Sequence, residues 1–311
     1  MVRKYQVESE LSEKQIEADV AAYFGHISSF FGEFRLLDVN EQTTGADKLL
    51  NWRAAAYYFQ FKPPVGLKPL TSALKRAKRE SRMQDVRRFR RENHLEQHPN
   101  SVCFELRKPA PKGGALQHNV LRSYERPPHS RATYVCPLVL GIHEYGRLLQ
   151  QDREWFPYPF LDASSYLDTG SQWVFHGAYI ARSAEVSPFL RGHVCIVPHE
   201  DVDTWKHHYS FSQQATDIAF HSPRILAAGP SRLSDFIAGE IRGVPMRTEA
   251  MLSPLRLARS LGNIARTWAG DELGEPTEND SVEWLAKHGR LLRERFGIRQ
   301  FVALVRPAHQ G

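Results

Sequence analysis

Residues 41–62 read EQTTGADKLLNWRAAAYYFQFK, and this stretch decides which fold the sequence favours. The run of small and aromatic residues at 54–61 predicts a β-strand, which the two following prolines end. Because side chains alternate along a strand, Gln60 and Lys62 are expected on one face, and Phe59 and Phe61 on the other. Burying an ammonium group at the end of an apolar strand is costly unless an anion meets it. The nearest acidic candidate upstream is Asp47.

An acid, a short connection and then a Gln-x-Lys pair on a strand suit metal-dependent hydrolysis of a phosphodiester. The carboxylate of Asp47 can hold a hard divalent cation, and the carbonyl of Gln60 can supply a second oxygen. Lys62 can orient or help to deprotonate the attacking water, or neutralise charge that builds on the phosphate. The alternative interpretation is a buried ion pair between Asp47 and Lys62 in a protein with a purely structural or interaction role.

The arrangement resembles the PD-(D/E)XK nuclease superfamily, in the restriction-endonuclease-like variant in which Gln replaces the second acid. Asp47, Gln60 and Lys62 match its motif, and residues 41–47 resemble the entry hairpin of several bacterial members. The resemblance covers about residues 12–140. It implies an α+β fold with an αβββαβ core and a mixed central sheet. It also implies Mg²⁺ or Mn²⁺ as the cofactor, DNA as the substrate, and a role in bacterial restriction or defence against phage.

The elements of this core follow in order along the chain. A capping-box pattern at 12–15 precedes apolar residues at helical spacing and predicts the first helix. Three strands at 34–39, 46–52 and 54–61 are expected to form a meander. A strand at 101–107, a helix at 116–124 and a strand at 132–140 complete the predicted core.

Three further residues are candidates for the site. The resemblance implies a glutamate on the first helix that points at the metal, and Glu17 matches this loosely; otherwise Glu17 is a solvated helical residue. Glu41 is either a second carboxylate at the metal or an acid that solvates the turn. The resemblance also implies a glutamine near the metal or the scissile phosphate, which matches Gln117, although a Gln at a helix N-terminus can simply bond to backbone.

The segment at 71–93 concentrates positive charge, with nine cations against three acids. Its local net charge equals that of the whole chain, +6. A thin apolar stripe predicts an amphipathic helix, inserted at about 65–100 as an arm over the site. We expect its cations to contact a nucleic-acid backbone; the alternative is a solvated arm. The cations are Lys75, Arg76, Lys78, Arg79, Arg82, Arg87, Arg88, Arg90 and Arg91.

The resemblance ends near residue 145. Residues 146–311 are predicted to form a C-terminal extension, with strands first and helices at 231–241, 254–269 and 281–296, and a last strand at 301–305. This extension either packs on the core or forms a second domain, and it could bind a protein partner or a second copy of the chain.

The composition and the motifs that are absent from the sequence narrow the classes of protein to which the chain could belong. Three widely spaced cysteines give neither a zinc-site spacing nor a disulfide framework, which favours a reducing cytoplasm. The N-terminus is too polar for a signal peptide, and no apolar run suits a membrane span. Neither a phosphate-binding GxxxxGK[ST] loop nor a Gly-x-Ser-x-Gly elbow is present, so ATP use and a serine-hydrolase triad are not indicated.

Overall fold

The fold was analysed in a computed structural model, which describes residues 6–27, 34–38, 53–67, 82–96, 101–109, 114–155, 181–221, 224–226, 229–247 and 251–305. The described residues form two six-stranded sheets with helices packed against them. This α+β class with one mixed sheet confirms the fold class expected from the sequence. None of the described helices is long and apolar enough to cross a membrane.

The first helix, α1 (Glu13–Ile27), begins where the capping pattern predicts. The backbone N–H of Gln15 donates to Ser12 Oγ at 3.1 Å, so the Ser12 side chain caps one of the free donors at the helix start. Ile16 and Val20 are fully buried on the side that faces the sheet. The cap fixes the first turn, and with it the position of the helix residues nearest the end of the strand at 53–61.

One of the two sheets, which we call the second sheet, has the Gln-x-Lys strand at its centre. In spatial order its strands are β11 (Ser231–Arg232), β7 (His193–Ile196), β6 (Ser130–Pro137), β3 (Arg53–Phe61), β12 (Arg299–Val305) and β2 (Phe34–Asp38). The pair β3–β6 is parallel and the other neighbours are antiparallel. The Lys62 N–H donates to the Val135 carbonyl at 2.9 Å, which extends the parallel pairing one residue beyond β3.

The order of strands around β3 corrects one expectation. A meander would place residues 46–52 beside β3, but the neighbour on that side is β12, which pairs Phe301 with Tyr57 and also pairs with β2. Residues 46–52 themselves lie outside the described residues. β12 ends in a continuous apolar run that suits a central strand buried on both faces. Its pairing nevertheless joins segments more than two hundred residues apart, which no local pattern reveals.

The other sheet, which we call the first because it contains β1, is made of the six remaining described strands. They are, in spatial order, β1 (Gln6–Val7), β4 (Val65–Leu67), β5 (Ser101–Glu105), β8 (His208–Phe211), β9 (Ile218–Phe220) and β10 (Arg224–Ile225). Residues from the C-terminal half therefore enter both sheets.

The other helices are α2 (Arg82–Glu92), α3 (Gln117–Ser123), α4 (Ile142–Trp155), α5 (Pro188–Arg191), α6 (Leu233–Arg247), α7 (Pro254–Ala269) and α8 (Ser281–Phe296). The helices expected at 254–269 and 281–296 are confirmed with those bounds.

The two faces of β3 lie in different hydrophobic cores. Tyr58 packs in the core that also contains residues of α7 and α8, whereas Phe59 and Phe61 pack in the core formed with α1 and α6. This alternation confirms the prediction that the two phenylalanines face away from Gln60 and Lys62. The two polar side chains therefore leave the sheet on the side of α3 and α8.

Candidate active site

A connected set of polar side chains lies where β3 ends. Lys62 Nζ donates to Gln117 Oε1 at 3.2 Å, and both residues are buried. Gln117 is the first residue of α3. The next strand along the chain after α3 is β6, which pairs with β3 in parallel. The crossover therefore brings the two residues together, as the resemblance implied.

Gln60 links the same network to the first helix. Its Nε2 donates to Glu13 Oε1 at 3.1 Å, and its Oε1 accepts from Gln117 Nε2 at 2.5 Å. The Gln60 side chain is fully buried, so its amide has to find protein partners on both sides. Together with Lys62, these residues define what we call the strand-end cluster: Glu13, Gln60, Lys62 and Gln117.

The end of α8 closes one side of the strand-end cluster. Gln117 Nε2 also donates to the backbone carbonyl of Phe296, the last residue of that helix. Gly297 follows in the left-handed region with φ 64°, and its N–H bonds back to the Arg293 carbonyl. The C-terminal portion of the chain therefore shapes a site whose other members come from the first 123 residues.

Burial changes the chemistry of Lys62. Removal from water lowers its pKa from 10.5 to about 8, although the negative charge of Glu13 acts in the opposite direction. The nearby positive charge of Arg107 contributes to this lowering of the pKa. A lysine with such a pKa can exist as a neutral amine close to neutral pH, so it can accept a proton as well as carry charge.

The structure corrects the choice of glutamate on α1. Glu17 Oε1 lies 2.9 Å from both Arg293 Nη2 and Arg299 Nη1, so its carboxylate is engaged in ion pairs with two arginines. Glu13, one turn earlier, contacts Gln60 instead. Glu17 therefore holds β12 and α8 to the first helix, and Glu13 takes the place at the cluster that was expected for Glu17.

Two predicted site residues cannot be located. Asp47 and Glu41 lie outside the described residues, and so does the predicted ion pair between Asp47 and Lys62. Within the described part of the chain, no three His, Cys, Asp or Glu side chains are grouped so that they could hold a metal ion. The carboxylate of Glu13 and the amide carbonyl of Gln60 are nevertheless oxygen donors of the type that Mg²⁺ and Mn²⁺ use. Gln60 turns its Nε2 toward Glu13 and its Oε1 toward Gln117, so the two residues could bind one cation only with the Gln60 amide reversed. Asp47 or Glu41 would have to complete such a set.

The basic helix α2 is a packed element, so residues 82–92 do not form the arm over the site that was expected of the insertion at about 65–100. Val86 on this helix is buried against Leu67 and Cys103 of the first sheet. Arg90 is almost completely buried: it donates to the Glu96 carbonyl and pairs with Asp217 at 2.6 Å.

Arg87 is also buried, and its Nη1 donates to the Met83 carbonyl at 3.4 Å. Arg87 and Arg90 are therefore wrong as predicted nucleic-acid contacts, because a buried guanidinium held by protein groups cannot reach a phosphate. Arg88 and Arg91 are exposed on the other side of α2. The Arg82 side chain and all of Lys75, Arg76, Lys78 and Arg79 lie outside the part that the structure describes.

Two residues near the strand-end cluster were not among the predicted site residues. Glu13 lies in the first turn of α1, where an acid is common for capping reasons alone, so its sequence position gave no functional signal. Arg107 follows β5, and only the folded arrangement brings it beside Gly297 and Lys62.

Comparisons with known proteins add no identification. No protein-family model matches the chain, and neither the curated proteins nor the solved structures contain a significant match.

Proposed function

We propose that this protein is a metal-dependent nuclease that hydrolyses phosphodiester bonds of DNA, with the strand-end cluster as part of its active site. The observation that carries the proposal is the convergence of Glu13, Gln60, Lys62 and Gln117 where β3 ends. A buried lysine beside a carboxylate and two amides is costly to maintain and is typical of a catalytic site. The resemblance to the PD-(D/E)XK superfamily supports the same chemistry and suggests a role in restriction or phage defence.

Each residue of the strand-end cluster has a distinct part in the proposed reaction. Glu13 and Gln60, with Asp47, would hold Mg²⁺ or Mn²⁺ through oxygen. When bound, the cation supplies Lewis-acid activation of water and neutralises charge on the phosphate. The lowered pKa of Lys62 gives a fraction of neutral amine near pH 7, and this neutral lysine takes a proton from the attacking water. Gln117 holds the Lys62 amine through its Oε1 and thereby sets the direction of that proton transfer.

A second candidate function is nucleic-acid binding without cleavage on the same scaffold. It is favoured by Gln60, because an amide stands where a second acidic ligand would hold the metal more tightly. Under this candidate the protein binds DNA in a salt-dependent manner and leaves its phosphodiester bonds intact.

The experiment that tests the proposal is cleavage of labelled single-stranded and duplex DNA in the presence of Mg²⁺ or Mn²⁺. The wild type is compared with Asp47→Ala and Lys62→Met, and with Lys206→Met, which removes an exposed lysine from the loop before β8. We expect cleavage by the wild type and by Lys206→Met, and a loss of about 100-fold or more in the other two variants.

Circular dichroism and a thermal melt establish that each variant is folded. Binding of DNA without cleavage by the wild type, at any metal concentration, favours the second candidate over the nuclease. Equal cleavage by Lys62→Met and Lys206→Met contradicts the proposed role of Lys62.

A further inference from the structure

Arg107 lies at the rim of the strand-end cluster, just after β5. It is exposed, and its guanidinium lies against the backbone of Gly297 at the end of α8. A β-carbon built on Gly297 would stand 2.5 Å from Arg107 Nη1 and 3.5 Å from Glu13 Oε1. The guanidinium and the Glu13 carboxylate therefore both lie close to the same residue of the backbone.

The other arginines at this end of the sheet are already engaged. Arg293 and Arg299 both pair with Glu17. Arg107 forms no ion pair with a carboxylate of the described residues, and Glu13, the nearest acid at Gly297, binds the amide of Gln60 instead. The exposed guanidinium of Arg107 and the buried ammonium of Lys62 are two positive charges near each other, and they repel. An anion between them would offset this repulsion.

We propose that Arg107 is a substrate-binding residue that holds a phosphate group of the nucleic acid next to the bond being cut. A guanidinium presents two parallel N–H donors that match two oxygens of a phosphate, which an ammonium group cannot do. The contact with Gly297 fixes the side of the cluster from which the phosphate enters, between α8 and the loop after β5. This inference rests on the proposed nuclease function, because it uses the same site.

The neighbouring residue Lys108 provides a matched control. It is also exposed and carries the same charge, but its Nζ lies 4.6 Å from the ring centroid of Trp205 and so points to another part of the surface. Arg107→Ala and Lys108→Ala therefore change the net charge equally and differ in their position relative to the strand-end cluster.

The test measures binding of a short fluorescent single-stranded DNA by anisotropy, in EDTA so that no cleavage occurs, over a series of salt concentrations. We expect Arg107→Ala to weaken binding about 10-fold and to reduce the salt slope by about one, as loss of one phosphate contact does. Arg107→Lys should recover part of the affinity, and Lys108→Ala should stay within about 2-fold of the wild type. Thermal melts of all variants should agree, because both side chains are exposed.

The outcomes separate this inference from the nuclease proposal. If the wild type binds DNA through Arg107 but cuts none with metal, Arg107 is a phosphate contact, and the nuclease proposal fails together with the placement of that phosphate beside a bond being cut. If the wild type cuts DNA while Arg107→Ala and Lys108→Ala bind equally well, the inference is overturned and the nuclease proposal stands.

Discussion

Lys62 Nζ and Gln117 Oε1 lie 3.2 Å apart and join the end of β3 to the start of α3. The two residues are more than fifty positions apart in sequence, and the crossover from β3 to its parallel neighbour β6 brings them together. Because Gln117 also contacts Gln60 and the Phe296 carbonyl, one amide orders residues from three parts of the chain. The lysine is thus held in one direction, which a proton-transfer or phosphate-contacting role requires.

The first prediction concerns the cost of burying Lys62. Lys62→Met replaces a buried ammonium with an apolar side chain of similar length, so we expect stability at pH 7 to be maintained or raised while cleavage is lost. Urea denaturation of the variant and the wild type measures the difference. A strong loss of stability in Lys62→Met would instead indicate that the lysine is a structural ion-pair partner.

The second prediction is a pH dependence with a fixed sign. The folded protein holds the pKa of Lys62 at about 8, below its ordinary 10.5, so between these values the unfolded chain binds one more proton than the folded chain. Stability should therefore rise with pH across this window, by on the order of 3 kcal/mol from this residue alone. Below about pH 8 both states carry the proton, and the contribution is constant.

Lys62→Met supplies the reference for this measurement, because the other lysines and the tyrosines titrate equally in both proteins. The free energy of unfolding of the wild type minus that of the variant should increase from pH 8 to pH 10.5. A difference that stays flat over this window means that the pKa of Lys62 is not lowered by folding.

The third prediction tests whether Gln60 stands in a ligand position. Gln60→Glu places a second carboxylate beside Glu13, so without metal the variant should lose about 1–3 kcal/mol through repulsion and burial of charge. Saturating Mn²⁺ should restore stability, since an ion bound only by the folded state stabilises it by about 2.7 kcal/mol at one hundred times its Kd. Thermal melts with and without Mn²⁺ give the result.

Gln15→Glu serves as the control for that substitution, because Gln15 is exposed on α1, the helix that carries Glu13. Its melting temperature should be insensitive to Mn²⁺. If Gln60→Glu is destabilised equally with and without the metal, the position does not face a cation.

The fourth prediction separates the structural arginine of α2 from the exposed one. Arg90→Met removes the ion-pair partner of Asp217 and should cost about 3–5 kcal/mol. Arg91→Met should change the free energy of unfolding by less than about 0.5 kcal/mol and, if α2 contacts DNA, should lower affinity at low salt. Equal effects of the two substitutions on stability would contradict the assignment of Arg90 to the protein interior.

The fifth prediction uses Gly297 to move Arg107 without removing it. Gly297→Ala introduces a β-carbon 2.5 Å from Arg107 Nη1 at a position with φ 64°, so the guanidinium has to shift and the backbone is strained by about 1 kcal/mol. DNA affinity should fall towards that of Arg107→Ala. Gly274→Ala is the control, since Gly274 has φ 66° but open space around its α-carbon. The inference about Arg107 is weakened if both variants bind DNA alike.

Some features of the fold and of the candidate site could be predicted from the local pattern of residues. The period of two along β3 placed Gln60 and Lys62 on one face, and helical spacing with a cap placed α1. Gln117 was a candidate because the resemblance implies a glutamine on the helix between two core strands. The inferences about β3 and α1 depend on residues close together in sequence.

Features that depend on distant pairing were not predictable in this way. The insertion of β12 between β2 and β3 depends on registers such as Phe301 with Tyr57, which no periodicity encodes. The choice between Glu13 and Glu17 depends on where Arg293 and Arg299 fall after that insertion.

A local signal did exist for the buried arginines of α2. Positions 83, 87 and 90 follow helical spacing, so Arg87 and Arg90 share a face with Met83, on the apolar stripe. The net charge of the whole segment concealed the buried positions, because it counts every arginine as exposed. A long cationic side chain can be buried when its N–H donors find partners in the protein.

The most direct measurement compares two glutamates that lie one turn apart on the same helix. Single-turnover cleavage of labelled DNA with Mg²⁺ is followed for the wild type, Glu13→Gln and Glu17→Gln, at a temperature where melts show all three folded. We expect Glu13→Gln to lower the rate by about 100-fold or more, and Glu17→Gln to stay within about 3-fold of the wild-type rate but to lose stability. A Glu13→Gln variant that cuts DNA at the wild-type rate would contradict the assignment of the strand-end cluster as the active site.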